Sequence, residues 1–147
     1  MTPLVRRYVK TSFVFLISGL LLGAYITVDE LLLGVQPPRV HVTAHVHLLL
    51  VGFMLMLVMG VATWMFPRPG RADVRYRPGL AEAVYWVMAL GTAVRAVAEI
   101  LAGLAPAPVL RPLIAAGGLA QAAGAVLFVL NMWSRIRMPN VSPPAAH

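Results

Sequence analysis

The chain has 147 residues, 60% of them hydrophobic and 12% charged, with a mean hydropathy of +0.82. A soluble domain of that length could not cover its surface with so few polar groups, so the composition points to one domain in a lipid bilayer. The formal charge of +7 does not indicate nucleic acid, because the basic residues fall mostly in short segments between long apolar runs, and the lack of cysteine excludes disulfides, thiol nucleophiles and thiolate ligands.

Four runs are long enough to cross a hydrocarbon core, which takes about 20 helical residues. Only helices satisfy their own backbone groups there. The first run, 11–33, follows Arg6, Arg7 and Lys10. It is too long for a signal peptide and carries Asp29-Glu30 where a small-residue cleavage site would stand, so it reads as a retained helix. Gly34 and Pro37-Pro38 precede the second run, 42–66, and Pro67-Arg68-Pro69-Gly70 closes it. The third, 80–104, starts after Pro78-Gly79. Pro106 precedes the fourth, 109–133, where Pro108 and Pro112 lie at and just inside the start and cost little. The expected fold is all-α, a polytopic membrane four-helix bundle over residues 1–138, with 139–147 and its Pro143-Pro144 pair as a C-terminal tail.

Charge asymmetry supplies an orientation. Arg6, Arg7, Lys10, Arg68, Arg71, Arg75, Arg77, Arg135 and Arg137 fall on one side, and the other has only Arg39 and Arg111 in its loops. That pattern places both termini and the middle loop on the cytoplasmic side of an inner (cytoplasmic) membrane. Trp64, Tyr85, Trp86 and Trp133 near the same side form an expected aromatic belt. The two outer loops are short, which predicts that the first and second helices, and the third and fourth, are adjacent antiparallel pairs. Gly19 and Gly23, and Ala116, Ala120 and Gly124, have the spacing of close helix contacts, although for the glycine pair the ordinary abundance of glycine in membrane helices explains as much.

Ionisable residues inside the spans are costly and normally face a bundle interior or one another. Most of them fall at one level, in the outer half. His45 and His47 lie roughly 5–8 Å into the second helix at 1.5 Å per residue, with His41 at its mouth. Glu99 and Arg95 are on the order of 7 and 13 Å from the same face, and Asp29 and Glu30 end the first helix. Arg95 and Glu99, four apart, can pair to pin a helix, or Arg95 can hold an anion such as a haem propionate with Glu99 orienting it. Gln121 suits an interhelical hydrogen bond. At 100° per residue His41 and His45 share a helix face while His47 points to the opposite side. His147 stands at the end of the tail. One subunit is therefore not expected to supply two histidines to one haem, and a methionine, a water, an open position or a neighbouring subunit would complete the iron. Imidazole suits haem iron, copper or zinc, and the alternative is a set of half-solvated histidines at the membrane surface.

The segment 39–68, RVHVTAHVHLLLVGFMLMLVMGVATWMFPR, resembles the second transmembrane helix of the haem–copper oxidase and nitric oxide reductase large-subunit superfamily. Ala44-His45-Val46-His47 stands where that helix carries its low-spin haem histidine, with His47 in place of the common asparagine. Gly60 and Phe66-Pro67-Arg68 match the helix end. The resemblance covers about 30 residues and is loose elsewhere. It implies haem b held by His45. The superfamily's subunit has twelve helices in three pseudo-symmetric groups of four, and its copper-binding histidines have no counterpart here. A homotrimer of this chain would recreate the twelve helices and place each histidine at a subunit boundary.

Three readings follow. The first is a membrane b-type cytochrome for electron transfer or for binding a diatomic gas such as NO or O2, with His45, His41, His47, Arg95 and Glu99 around the haem and a redox partner or respiratory subunit beside it. The second is a copper or zinc site on His41 and His45, completed by Glu30, Glu99, His47 or another subunit. The third is a metal-free structural or assembly subunit of a respiratory complex. Whether the chain turns over a substrate is left open by the sequence.

Overall fold

The computed structural model describes residues 1–66, 77–133 and 135–136. Arg68, Arg71, Arg75, Arg137, Pro143-Pro144 and His147 lie outside the described residues. Within them, four helices are long and apolar enough to cross a membrane: α1 (Pro3–Leu31), α2 (Arg39–Met65), α3 (Pro78–Leu104) and α4 (Leu110–Trp133).

The helix ends explain where the observed spans differ from the apolar runs. α1 begins eight residues before residue 11 because Thr2 caps it, its Oγ1 accepting from the Val5 N–H at 3.4 Å, and Pro3 fits the first turn, where no donor is needed. Arg6, Arg7 and Lys10 are thereby helical. α1 ends at Leu31, and the chain turns away at Gly34, which takes φ +64° while the next amide, Val35, donates back to Asp29 O at 2.8 Å. α3 likewise starts on a proline, Pro78. Phe66 turns extended at the end of α2, as the residue before Pro67 must.

α2 is not uniform. Between Leu48 and Leu55 it winds as a π-helix, flanked by α-helical turns on both sides. Such wide turns are rare and cluster at functional sites; this one begins at the residue after His47.

Small residues set the packing. Along α1 and α2, Gly60 lies against Tyr8, Gly52 against Phe15, Gly19 against Leu49 and Gly23 against His45. The falling numbers on one helix against rising numbers on the other make the pair antiparallel. Gly124 against Met88, Gly91 against Ala120 and Gly117 against Arg95 define α3 and α4 in the same way. Both expected pairs are therefore present, and close van der Waals approach, the available driving force inside lipid, holds them. α3 crosses back to α1 at one end, where Thr11 Oγ1 and Tyr85 OH are 2.8 Å apart and the Tyr8 and Tyr85 rings meet edge to face at 5.0 Å. The core runs through Phe15, Leu48, Met56, Met59, Val84 and Met88.

The bundle is open. α2 and α3 are well packed, but α4 rests on α3 and scarcely touches α1 or α2. Its exception is Arg135, just past its end. That guanidinium is buried and donates to Thr63 O at 3.1 Å and to Phe66 O, capping the last carbonyls of α2. Arg7, Arg77 and Arg135 thus gather at one end of the molecule, and Asp29, Arg39 and Arg111 at the other.

Candidate functional site

The three histidines of α2 leave the helix in three environments. His41 is 1% exposed. Its Nε2 is 3.1 Å from Ile100 O, so Nε2 carries the proton and donates to a carbonyl of α3. The ring fits only because Gly103 has no side chain, and its other flank meets the Tyr25 ring edge to face at 5.8 Å. Nδ1 is buried with no hydrogen-bond partner.

His45 faces α1. Its Nδ1 lies 2.8 Å from Gly19 O, which again fixes the proton on the bonded nitrogen. Gly23 makes the room: a Cβ there would stand 2.6 Å from His45 Cε1 and 2.9 Å from Nδ1. Gly19 and Gly23, whose spacing alone does not distinguish packing from abundance, prove to be the acceptor and the notch for this ring. Nε2 of the half-buried ring has no partner among the described residues.

His47 turns to α3. Its Nδ1 donates to Thr43 O at 2.8 Å within the helix and lies 3.8 Å from Glu99 Oε2, beyond hydrogen-bond range. The opposite-face prediction for His47 therefore holds, and the neighbour on that face is a carboxylate of the same chain.

Glu99 starts a polar chain across the bundle. It is 1% exposed and accepts from Arg95 Nε at 3.0 Å. Arg95 Nη1 donates to Gln121 Oε1 at 3.2 Å, and Gln121 Nε2 donates to Thr92 Oγ1 at 3.1 Å. The i, i+4 ion pair and the interhelical bond of Gln121 are both present, and Thr92 is a member that no sequence signal marked. Arg95 reaches α4 over Gly117 and Gly118, whose missing side chains leave space for it. Glu99 Oε2 is buried without a hydrogen bond.

The structure therefore joins His47, Glu99, Arg95 and Gln121, and sets His45 and His41 apart from them. His41 and His45 do not converge either: the His41 ring is buried against α3 and the half-buried His45 ring packs on α1. No group of three or more His, Cys, Asp or Glu residues poised for a metal ion occurs among the described residues. For a haem the donor chemistry of His45 fits, since a ligating imidazole usually donates its other N–H to a carbonyl, which fixes the tautomer. Arg95, committed to Glu99 and Gln121, is not brought to that ring. Compared with protein-family models, curated proteins and solved structures, the chain matches none.

Proposed function

We propose that this is a small multi-pass protein of the cytoplasmic membrane, with both termini cytoplasmic, that binds haem b through His45 and serves in electron transfer or diatomic gas binding. The observation that carries the reading is the Nδ1–H···O=C bond from His45 to Gly19, 2.8 Å long. It holds Nδ1 on the backbone and leaves Nε2 as the nitrogen that would hold haem iron. When bound, haem iron would supply the redox or gas-binding chemistry. The chain's part is to orient the imidazole and surround it with helices. The likeness of 39–68 to the low-spin haem helix supports the same residue. The open side of the bundle supports a homo-oligomer, a trimer on the superfamily pattern, with a second subunit completing the coordination of the iron.

Purified protein supplied with haem is expected to show a Soret band that His45→Ala removes while His47→Ala retains it. A colourless wild type refutes the reading. Addition of NO or CO to the reduced protein then separates an open iron from a six-coordinate electron carrier.

A second reading has its own observation: all three rings donate to backbone carbonyls, two of them on other helices. The histidines would then be helix staples of a metal-free structural or assembly subunit. Under that reading His45→Ala lowers stability with no optical change. A copper or zinc site on His41 and His45 has less support, because their free nitrogens are not gathered.

A further inference from the structure

A second subunit has one residue to offer the iron at the depth of His45. We propose that the haem lies between two copies of this chain, held by His45 of one and His47 of the next, in a closed ring. The inference rests on haem binding through His45 and adds the ligand opposite it.

Copies of one chain share an orientation in the bilayer, so a symmetric assembly relates them by an axis along its normal and equivalent residues share a depth. The residue across the iron must therefore stand close to the level of His45 and reach the exterior of its own subunit. Among the described histidines and methionines only His47 meets both conditions. It follows His45 by two residues, about 3 Å along the axis, and its side chain is 22% exposed. His41 is enclosed, with Nε2 on Ile100 O and Nδ1 buried. Met56, Met59, Met88 and Met132 are buried, and Met1 and Met65 belong to the other end of the bundle. Met54 is exposed, but nine residues separate it from His45, about 13 Å along the helix.

The His47 ring is prepared in the same way as His45. Its Nδ1 donates to Thr43 O at 2.8 Å, which leaves Nε2 as the nitrogen that would hold iron. Behind Nδ1, at 3.8 Å, stands Oε2 of the buried Glu99, whose other oxygen is held by Arg95. Carbonyls and carboxylates are the usual outer partners of ligating histidines. A neighbour can approach this flank, because α4 rests on α3 and scarcely touches α2.

The angle between the two rings fixes the kind of assembly. Two residues of an α-helix turn through about 200°, so His45 leaves α2 toward α1 and His47 toward α3. A two-fold dimer pairs like with like and would bring His45 to His45. Joining His45 to His47 of the next copy uses two different faces. Contacts of that kind close into a ring, with one haem at each interface and hence one per chain.

The test uses the full chain loaded with haem, the haem counted per chain by the pyridine haemochrome assay and the ferric spin state read by electron paramagnetic resonance. Wild type is expected to hold one haem per chain with a low-spin, six-coordinate signal. His47→Ala should keep its Soret band and lose the low-spin signal, which added imidazole restores. His47→Gln, which keeps a donor for Thr43 O, should lose the signal equally. His45→Ala and His47→Ala chains, co-expressed with different tags and purified as assemblies containing both, should recover about one third of the wild-type low-spin signal, since one interface of a three-membered ring then retains both histidines. A low-spin signal unchanged in both His47 variants, no recovery in the mixed assembly, or one haem for every two chains overturns the pairing and leaves His45 as a ligand. A colourless wild type overturns haem binding itself, and the pairing with it.

Discussion

Replacing Gly103 with alanine probes the close approach of α3 to the His41 ring of α2. The new Cβ would lie 2.5 Å from His41 Cδ2 and 2.9 Å from Cε1, with Nε2 also in its way. At 1% exposure, and with Tyr25 on its other side, the ring has no vacant space to enter. It must move and give up its bond to Ile100 O. An unmade buried hydrogen bond costs about 1–3 kcal/mol, and overpacking adds about 1–3 kcal/mol. Alanine returns about 1 kcal/mol through helix propensity. The expected net loss is about 1–5 kcal/mol. Equilibrium unfolding in mixed lipid–dodecyl sulfate micelles, followed by far-UV circular dichroism, measures it. His41→Ala vacates the space, so Gly103→Ala should be harmless in that background, with a coupling of at least about 2 kcal/mol in the double-mutant cycle. Gly79, with nothing within 4 Å of its would-be Cβ, is the control. A Gly103→Ala protein as stable as wild type would refute the reasoning.

Three further outcomes are expected. Glu99→Gln leaves Arg95, whose side chain is 20% exposed, without its anion; the loss should be about 2–4 kcal/mol, below or within the range for a fully buried pair, and Arg95→Met should recover most of it. Arg135→Ala strips the α2 carboxyl end of its cap and should cost about 1–2 kcal/mol, whereas exposed Arg6→Ala should stay within about 0.5 kcal/mol, both by the same unfolding assay. Gly23→Ala would push the His45 ring off Gly19 O, so haem-reconstituted protein should lose Soret absorbance per chain; undiminished absorbance would separate that ring's anchor from cofactor binding.

The helices were legible in the sequence because lipid makes the signal strong: long apolar runs, prolines and glycines between them. The Arg95–Glu99 pair was legible from its spacing on one helix, and Gln121 from its isolation in an apolar run. What spacing could not supply was the partner of each histidine. His41 and His45 share a face by angle, yet one meets Ile100 and the other Gly19, because the face spans the boundary between two neighbouring helices. Gly103 carried no signal, since a glycine near the end of a membrane helix is ordinary until a buried ring is found against it. The π-helical stretch was also silent: Leu48–Leu55 contains no proline, and Gly52 alone does not specify wider winding. Arg135 read as one more interfacial cation, although it is a buried cap.

That wide stretch has a consequence for how the chain tolerates changes in length. Each hydrogen-bonded ring from Leu48 to Leu55 encloses one residue more than an α-helical ring does. The segment therefore stores slack between two faces that must both stay in register, His41–His45 above and Met56–Gly60 below. Deleting one residue within it can be absorbed by tightening to α-helical turns, with both faces kept in place. The same deletion between His41 and His45 has no slack to draw on, and would turn His45 away from Gly19 by about 100°.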